Sequence, residues 1–133
     1  MNVDIKLHKN DLPDEIKLDD KKSLAIDSEF SGLNVNRDKL YLVQISCGNN
    51  DAHIIQLNRE NYDAPNLKKL LVNTNIEKIF HYARADMTFI QKYLKVNVEN
   101  INCTRTMSKL ARSYSDKHGL KDLAKEFLGI ELS

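Results

Sequence analysis

The first half of the chain shows the alternation of apolar and polar residues that is typical of β-strands. Residues 3–8 alternate in this way and suit an edge strand. Apolar runs follow at 23–26 and 40–45, and the second, interrupted by a single glutamine, predicts a strand buried on both faces. The turn sequence at 48–51 is a hairpin signal, and residues 53–57 return as the partner strand. A three-strand antiparallel meander beside an edge strand is therefore expected.

The second half changes to the spacing of amphipathic helices. One helix is predicted to begin at Pro65, where the first helical turn tolerates proline, and another to cover residues 83–95. A third carries Met107, Leu110 and Ala111, and a short apolar run, Ile79-Phe80, indicates a further buried strand between the first two helices. Strands that precede alternating helices and one more strand predict an α/β fold with a mixed sheet.

The last helix, after Gly119, has a complete apolar stripe. Its members follow the spacing i, i+3, i+4, i+7 and i+8: Leu120, Leu123, Ala124, Phe127 and Leu128. The sequence ends five residues after Leu128, so we expect this stripe to lie uncovered and to drive self-association.

Length and charge narrow the function classes. The chain has 133 residues, 41% apolar and 29% charged, without an internal repeat or linker, which suits a single domain over residues 1–133. A strongly basic protein would indicate nucleic-acid binding, but the net charge here is only +1. Any contact with nucleic acid must therefore come from a local site. No apolar run is long enough to span a membrane, and the charged N-terminus does not resemble a secretory signal. We expect a cytoplasmic protein with no membrane partner.

Histidines and cysteines do not indicate a second site. Cys47 and Cys103 lie far apart and are expected to be free thiols in a reducing compartment. His53 and His118 lack metal-ligand spacing to any cysteine or acid, so we predict that both are surface or turn residues.

Three acids are the candidates for chemistry. Asp27 and Glu29 follow an apolar run and are two positions apart, so both carboxylates project from one strand face, with Cα atoms roughly 6.6 Å apart. Asp86 lies in a helix among apolar neighbours, where a carboxylate needs a partner such as a cation. Such carboxylates can bind hard cations. The alternatives are an acidic, solvated strand end and a helix-N-terminal acid that favours the dipole.

Two stretches then resemble the DEDD 3′-5′ exonucleases. The first is Leu24-Ala25-Ile26-Asp27-Ser28-Glu29 with Gly32-Leu33 and the strand after Arg37, and the second runs from Lys78 to Asp86. Over essentially its whole length the chain is similar to the NrnC-type oligoribonucleases, which are relatives of RNase D. Segments outside the two motifs that fit this type are His8 to Pro13, Pro65-Asn66-Leu67, Cys103-Thr104, Ser108-Lys109-Leu110 and Tyr114 to Lys121.

The resemblance implies an RNase H-like mixed sheet flanked by helices and a two-metal mechanism that uses Mg²⁺ or Mn²⁺. Asp27, Glu29 and Asp86 match three of the family's four acidic metal ligands and are its implied catalytic residues. Two ions roughly 3.5 to 4 Å apart activate water and stabilise the leaving oxygen in such sites. Leu33, Phe30 and His81 are the implied substrate-binding residues, although relatives often have a small polar residue where this chain has Phe30.

The implied activity is hydrolysis of short single-stranded RNA, and of DNA as the alternative, from the 3′ end to nucleoside 5′-monophosphates. The family's third motif, a Tyr-x-x-x-Asp or His-x-x-x-x-Asp stretch, lies downstream of the segment that ends at Ser133, and neither Asp116 nor Asp122 replaces it. The sequence thus corresponds to the N-terminal two thirds of the family domain, incomplete at its C-terminus. Three readings stay open: an active exonuclease, an impaired remnant that binds without cleaving, and a split enzyme with a separately encoded C-terminal fragment. Relatives form rings, so a homo-oligomer is a further expectation.

Overall fold

A computed structural model describes residues 4–81 and 83–131. The strands are β1 (Asp4–Lys9), β2 (Ser23–Phe30), β3 (Leu40–Ser46), β4 (Asp51–Gln56), β5 (Glu77–Phe80) and β6 (Ile101–Cys103). The helices are α1 (Pro65–Val72), α2 (Ala83–Leu94), α3 (Thr104–Ala111) and α4 (Leu120–Leu123), and α4 continues into a π-helical turn, Ala124–Leu128.

The six strands form one mixed sheet in the order β1-β4-β3-β2-β5-β6. The antiparallel meander β2-β3-β4 is confirmed, and so is the strand at Ile79-Phe80, which pairs with β2 in parallel. β1 lies at the edge, as expected, and pairs with β4 in parallel. The three-residue strand β6 was not anticipated, because a strand this short carries no periodicity.

The core lies between α1, α2 and one face of the sheet. Leu67, Leu70 and Leu71 of α1 are buried at the predicted spacing, and Phe89 and Ile90 of α2 pack in the same cluster. We call this side of the sheet the core face. The core face also includes every second residue of the central strands: Leu24, Ile26, Val43, Ile45 and Ile55.

The opposite side, which we call the open face, is much less buried. Asp27 pairs with Gln44 and Gln44 pairs with Ile54, so one row of this face crosses three strands. The prediction that β3 is buried on both faces is wrong: Leu42 and Gln44 are only half-buried. The reason is that α1 and α2 both pack against the core face.

The C-terminal helices leave their apolar residues in solvent. In α3, Met107 and Leu110 are exposed and Ser108 is the buried residue, contrary to the usual meaning of apolar helical spacing. In the final helix Leu120, Phe127 and Leu128 are exposed, whereas Leu123 is half-buried and Ala124 is buried, so the stripe is uncovered at three of its five positions. No helix in the described part of the chain is long and apolar enough to cross a membrane.

Candidate active site

Strand β2 carries the first two acids on the open face. Asp27 and Glu29 are both exposed, while Ser28 between them points into the core face and is buried. β2 pairs with β5 only from Ser23 to Ala25, so within residues 4–81 and 83–131 no strand pairs on that side with the part of β2 that bears the acids. The end of β2 is therefore an open strand edge with carboxylates on it.

Helix α2 brings the third acid to this edge. Asp86 lies in the first turn of α2 and is 4% exposed, as its apolar neighbours in the sequence indicated. The pKa of Asp86 is raised from 3.8 to about 6, chiefly by burial and also by the negative charge of Asp27. The hydroxyl and backbone amide of Ser28 lower the pKa in opposition. The structure thus places Asp86 beside β2, within electrostatic reach of Asp27.

One oxygen of this buried carboxylate is unsatisfied. Among the described residues, Asp86 Oδ1 and Ser28 Oγ complete no hydrogen bond of proper geometry. Leaving a buried polar atom unpaired costs free energy, and each such atom in a folded protein calls for an explanation. A bound cation would supply the missing partner and offset the repulsion from Asp27.

The three candidate ligands are carboxylates, and carboxylate oxygens are the donors that hard divalent cations prefer. Asp86 Oδ1 is free to accept such an ion, and Asp27 adds negative charge nearby. Glu29 follows on the same strand face. In the described part of the chain, however, no three His, Cys, Asp or Glu side chains are close enough together to form a preformed metal cage.

A cavity of about 370 Å³ lies beside Asp27 on the open face. Residues from six elements line it, among them Asp27, Gln44, Ile79, Thr104 and Leu120, together with His81 just after β5. His81 Nδ1 lies 2.8 Å from Thr104 Oγ1, which fixes the imidazole at the cavity wall. Burial lowers the pKa of His81, the positive charge of Arg105 lowers it further, and the Asp27 carboxylate acts in the opposite direction. A neutral imidazole thus lines the cavity at neutral pH.

The other two predicted substrate-binding residues differ in position. Leu33 is 78% exposed, in the loop that follows β2. Phe30 is half-buried and stacks on Phe89 of α2, with ring centroids 4.2 Å apart. The stacking explains why an aromatic residue is accepted at Phe30: the ring joins β2 to the helix that carries Asp86.

Sequence reasoning missed several residues around the site. Thr104 follows strand β6, which was not predicted, so nothing in the sequence indicated that Thr104 lies beside His81. Ser28 could have been found, because alternation along β2 requires the residue between two outward acids to face the core.

His53 and His118 were predicted to be surface or turn residues, which is wrong for His53. His53 is 4% exposed, and its Nδ1 lies 3.0 Å from His8 Nε2. His118 is half-buried, with Nδ1 2.9 Å from Ser108 Oγ.

Solved structures resemble this chain closely. The structure of Brucella melitensis NrnC with bound Mg²⁺ has a TM-score of 0.93 and 40% sequence identity, and the match covers 98% of this chain. This chain spans 65% of the length of that relative. Brucella melitensis NrnC bound to pGG gives the same TM-score and identity, with 99% of this chain and 64% of the relative covered.

A more distant structure supports the fold alone. Escherichia coli RNase D, an exoribonuclease involved in structured RNA processing, matches at a TM-score of 0.71 and 18% identity, over 86% of this chain and 30% of that one. No curated protein sequence matches the chain significantly. The mixed sheet and its helices therefore have the RNase H-like arrangement that the resemblance implied.

A sequence profile gives the family directly. The profile described as 3′-5′ exonuclease matches residues 8–133. This match contains β2 with Asp27 and Glu29 as well as α2 with Asp86. Because it spans nearly the whole sequence, the chain belongs to the 3′-5′ exonuclease family.

Proposed function

We propose that this domain hydrolyses short single-stranded RNA from the 3′ end, with Mg²⁺ or Mn²⁺ bound by Asp27, Glu29 and Asp86, and releases nucleoside 5′-monophosphates. The observation that carries the proposal is the buried, unsatisfied oxygen of Asp86 beside the Asp27 charge, at the open edge of β2. Family membership and the Mg²⁺-bound relative support the same reading.

The protein side of the reaction follows from the positions of these residues. When bound, a pair of divalent ions supplies an activated water and neutralises charge on the leaving oxygen. Asp27 and Glu29 hold their charge toward solvent, on the side from which a substrate phosphate can approach. Asp86 reaches the same strand edge from the first turn of α2. Phosphodiester cleavage then depends mainly on positioning and electrostatics, which a rigid sheet edge provides.

We assign the substrate class from the same region. Leu33 is exposed just beyond the acids and can pack on the terminal base, and His81 lines the adjoining cavity. A relative is described as bound to pGG, which supports a short ligand. Because the net charge is only +1, we propose that short 3′ ends, of RNA or alternatively DNA, bind through this local site in the cytoplasm.

A second candidate is a domain that works only with further chain. This sequence spans 65% of the length of a close relative, and the final helix leaves Leu120, Phe127 and Leu128 exposed. The resemblance places a fourth acid and a Tyr or His downstream. We therefore also propose that a C-terminal fragment, or another copy of the chain in a homo-oligomer, covers this helix, and that the 133 residues alone bind better than they cleave.

The test is hydrolysis of a 5′-labelled RNA dinucleotide and heptamer in Mn²⁺, with and without a separately supplied C-terminal fragment of a relative. The chain alone should shorten both RNAs from the 3′ end, at least about 10²-fold more slowly than a complete relative, because loss of one general acid or base costs about 10² to 10⁴ in rate. Asp86→Asn should abolish the activity. Internal cleavage, or cleavage that survives both Asp27→Asn and Asp86→Asn, would contradict the proposed function.

A further inference from the structure

The loop after β2 shows an unusual combination of exposure and order. Residues 31–39, which we call the Leu33 loop, present Leu33 to solvent with 78% of its surface exposed. A single exposed leucine is ordinary in a folded protein. What distinguishes this one is a buried carboxylate in the same loop, because Asp38 is only 7% exposed.

Asp38 closes the Leu33 loop from within. Its Oδ2 accepts a hydrogen bond of 2.8 Å from the Asn34 backbone amide, and its Oδ1 accepts one of 3.3 Å from Ser31 Oγ. The Asp38 amide in turn donates to the Asn34 carbonyl oxygen at 2.7 Å. The residues on both sides of Leu33 are therefore bound to one side chain. The Arg37 guanidinium beside Asp38, with the Asn34 amide, holds the pKa of that carboxyl below its usual value, so the acceptor is ionised at neutral pH.

Gly32 fits this arrangement for a steric reason. A Cβ at Gly32 would lie 2.5 Å from Asp38 Oδ2 and 2.8 Å from Asp38 Cγ, which no real contact permits. The carboxylate thus occupies the space that any other residue at position 32 would need. The glycine directly before the exposed leucine and the Asp38 carboxylate are therefore sterically matched.

The Leu33 loop is also attached to the helix that carries Asp86. The Tyr93 hydroxyl donates to the Asp38 carbonyl oxygen at 2.5 Å, and Lys92 Nζ donates to the Val35 carbonyl oxygen. Both donors lie near the end of α2. The Leu33 loop is therefore hydrogen-bonded to α2, and the stacking of Phe30 on Phe89 joins β2 to the same helix.

We propose that Asp38 is a positioning residue, which holds Leu33 rigidly so that its side chain packs on the 3′-terminal base of the substrate. This inference rests on the proposed function and adds a residue that touches neither metal nor RNA. Preorganisation explains the advantage: a loop that is already ordered does not lose conformational freedom on binding. Asp38 acts only through Leu33, so its effect depends on the presence of both the leucine and the terminal base.

The test measures the affinity of the full chain for a hydrolysis-resistant phosphorothioate RNA trinucleotide, 5′-labelled with fluorescein, by fluorescence anisotropy. A matched ligand lacks only the 3′-terminal base. The variants are Leu33→Ala, Asp38→Ala, the double variant, Asp38→Asn and Gly32→Ala, with Asp63→Ala as an exposed control on another loop. Thermal midpoints and hydrogen exchange at the Asn34 amide are recorded for each variant.

We expect Leu33→Ala and Asp38→Ala each to weaken binding of the complete trinucleotide by about tenfold, as loss of most of a buried leucine contact implies. The double variant should be no weaker than Leu33→Ala, because the two residues act as a unit. The abasic ligand should bind equally to all proteins. Gly32→Ala and Asp38→Asn should both weaken binding and speed exchange at Asn34. Asp38→Asn keeps the shape of the side chain and should change the thermal midpoint little, which keeps the test valid if Asp38→Ala unfolds.

Two outcomes would overturn the inference in distinguishable ways. If Leu33→Ala weakens binding but every folded Asp38 and Gly32 variant binds as wild type does, the loop does not position the leucine, and the proposed function stands. If wild type fails to bind the trinucleotide, or binds the abasic ligand equally well, the proposed use of a 3′ end at this site is wrong, and the inference falls with it.

Discussion

Replacing Asp86 with asparagine should make the metal-free protein more stable at neutral pH. Asp86 is buried with one oxygen unsatisfied and with the Asp27 charge nearby. Asparagine has nearly the same shape but removes the buried charge, and it can still accept from the Ser28 amide. The wild-type carboxylate therefore lowers stability until a cation neutralises it.

The size of this stability difference follows from the shifted pKa of Asp86. In the folded protein the pKa of Asp86 is raised from 3.8 to about 6, and one unit corresponds to about 1.4 kcal/mol, so the ionised group costs up to about 3 kcal/mol. Because the pKa is raised in the folded state, the folded protein holds the proton more tightly than the unfolded chain does, and stability falls as the carboxyl ionises. The cost is absent below about pH 4, grows as the pH rises from about 4 to 6, and is constant above about pH 7.

Urea unfolding in EDTA at pH 4, 5, 6 and 7 would measure this difference. The free energy of unfolding of Asp86→Asn should exceed that of wild type by up to about 3 kcal/mol at pH 7 and should equal it near pH 4. Asp116→Asn, an exposed acid, serves as the control and should match wild type throughout. A variant that is less stable than wild type at pH 7, or a difference in stability that does not change with pH, would show that the buried charge of Asp86 does not destabilise the fold.

Two further predictions concern other parts of the fold. Burial, followed by the charges of His8 and Lys6, lowers the pKa of His53, while Asp51 and Asp4 act against it; the unfolding free energy should therefore fall as the pH drops below about 6.5. Calorimetry from pH 7 to 5 should show a shallower loss in His53→Gln, and equally steep profiles would contradict this role. The exposed final helix should cause self-association, so Phe127→Glu should shift the chain toward monomer in size-exclusion chromatography with light scattering. A wild-type monomer at high concentration would exclude the idea.

The sequence predicted the elements whose periodicity is long or whose turns are strong. Local patterns predicted the meander and the start of α1 at Pro65. They also predicted α2, with an end that differs by one residue from the observed one. β6 and the parallel pairing of β1 depend on neighbours distant in sequence, and local pattern carries no information about them. Apolar spacing in α3 indicated a buried face at Met107 and Leu110, but these residues are exposed because the described chain places nothing against them.

The site shows the same division. Alternation placed Asp27 and Glu29 on one face, and apolar neighbours indicated that Asp86 is buried, as the structure has them. The approach of Asp86 to Ser28 depends on where β5 stops pairing with β2, which only the folded sheet defines. Asp38 gave no signal, because its role depends on the space left by Gly32 and on contacts with α2.

A Mn²⁺ titration followed by electron paramagnetic resonance, which detects the ions that remain free in solution, measures cation binding at this site. The central claim is that the carboxylates at the open edge of β2 bind divalent cations, and the unsatisfied oxygen of Asp86 is its physical basis. Wild type and Asp116→Asn should remove Mn²⁺ from solution with the same affinity, whereas Asp27→Asn and Asp86→Asn should bind at least about tenfold more weakly, as expected when a charged ligand worth more than about 1.4 kcal/mol is lost. Equal binding of Mn²⁺ by wild type and both acid variants would show that the carboxylates at the open edge of β2 do not form the cation site.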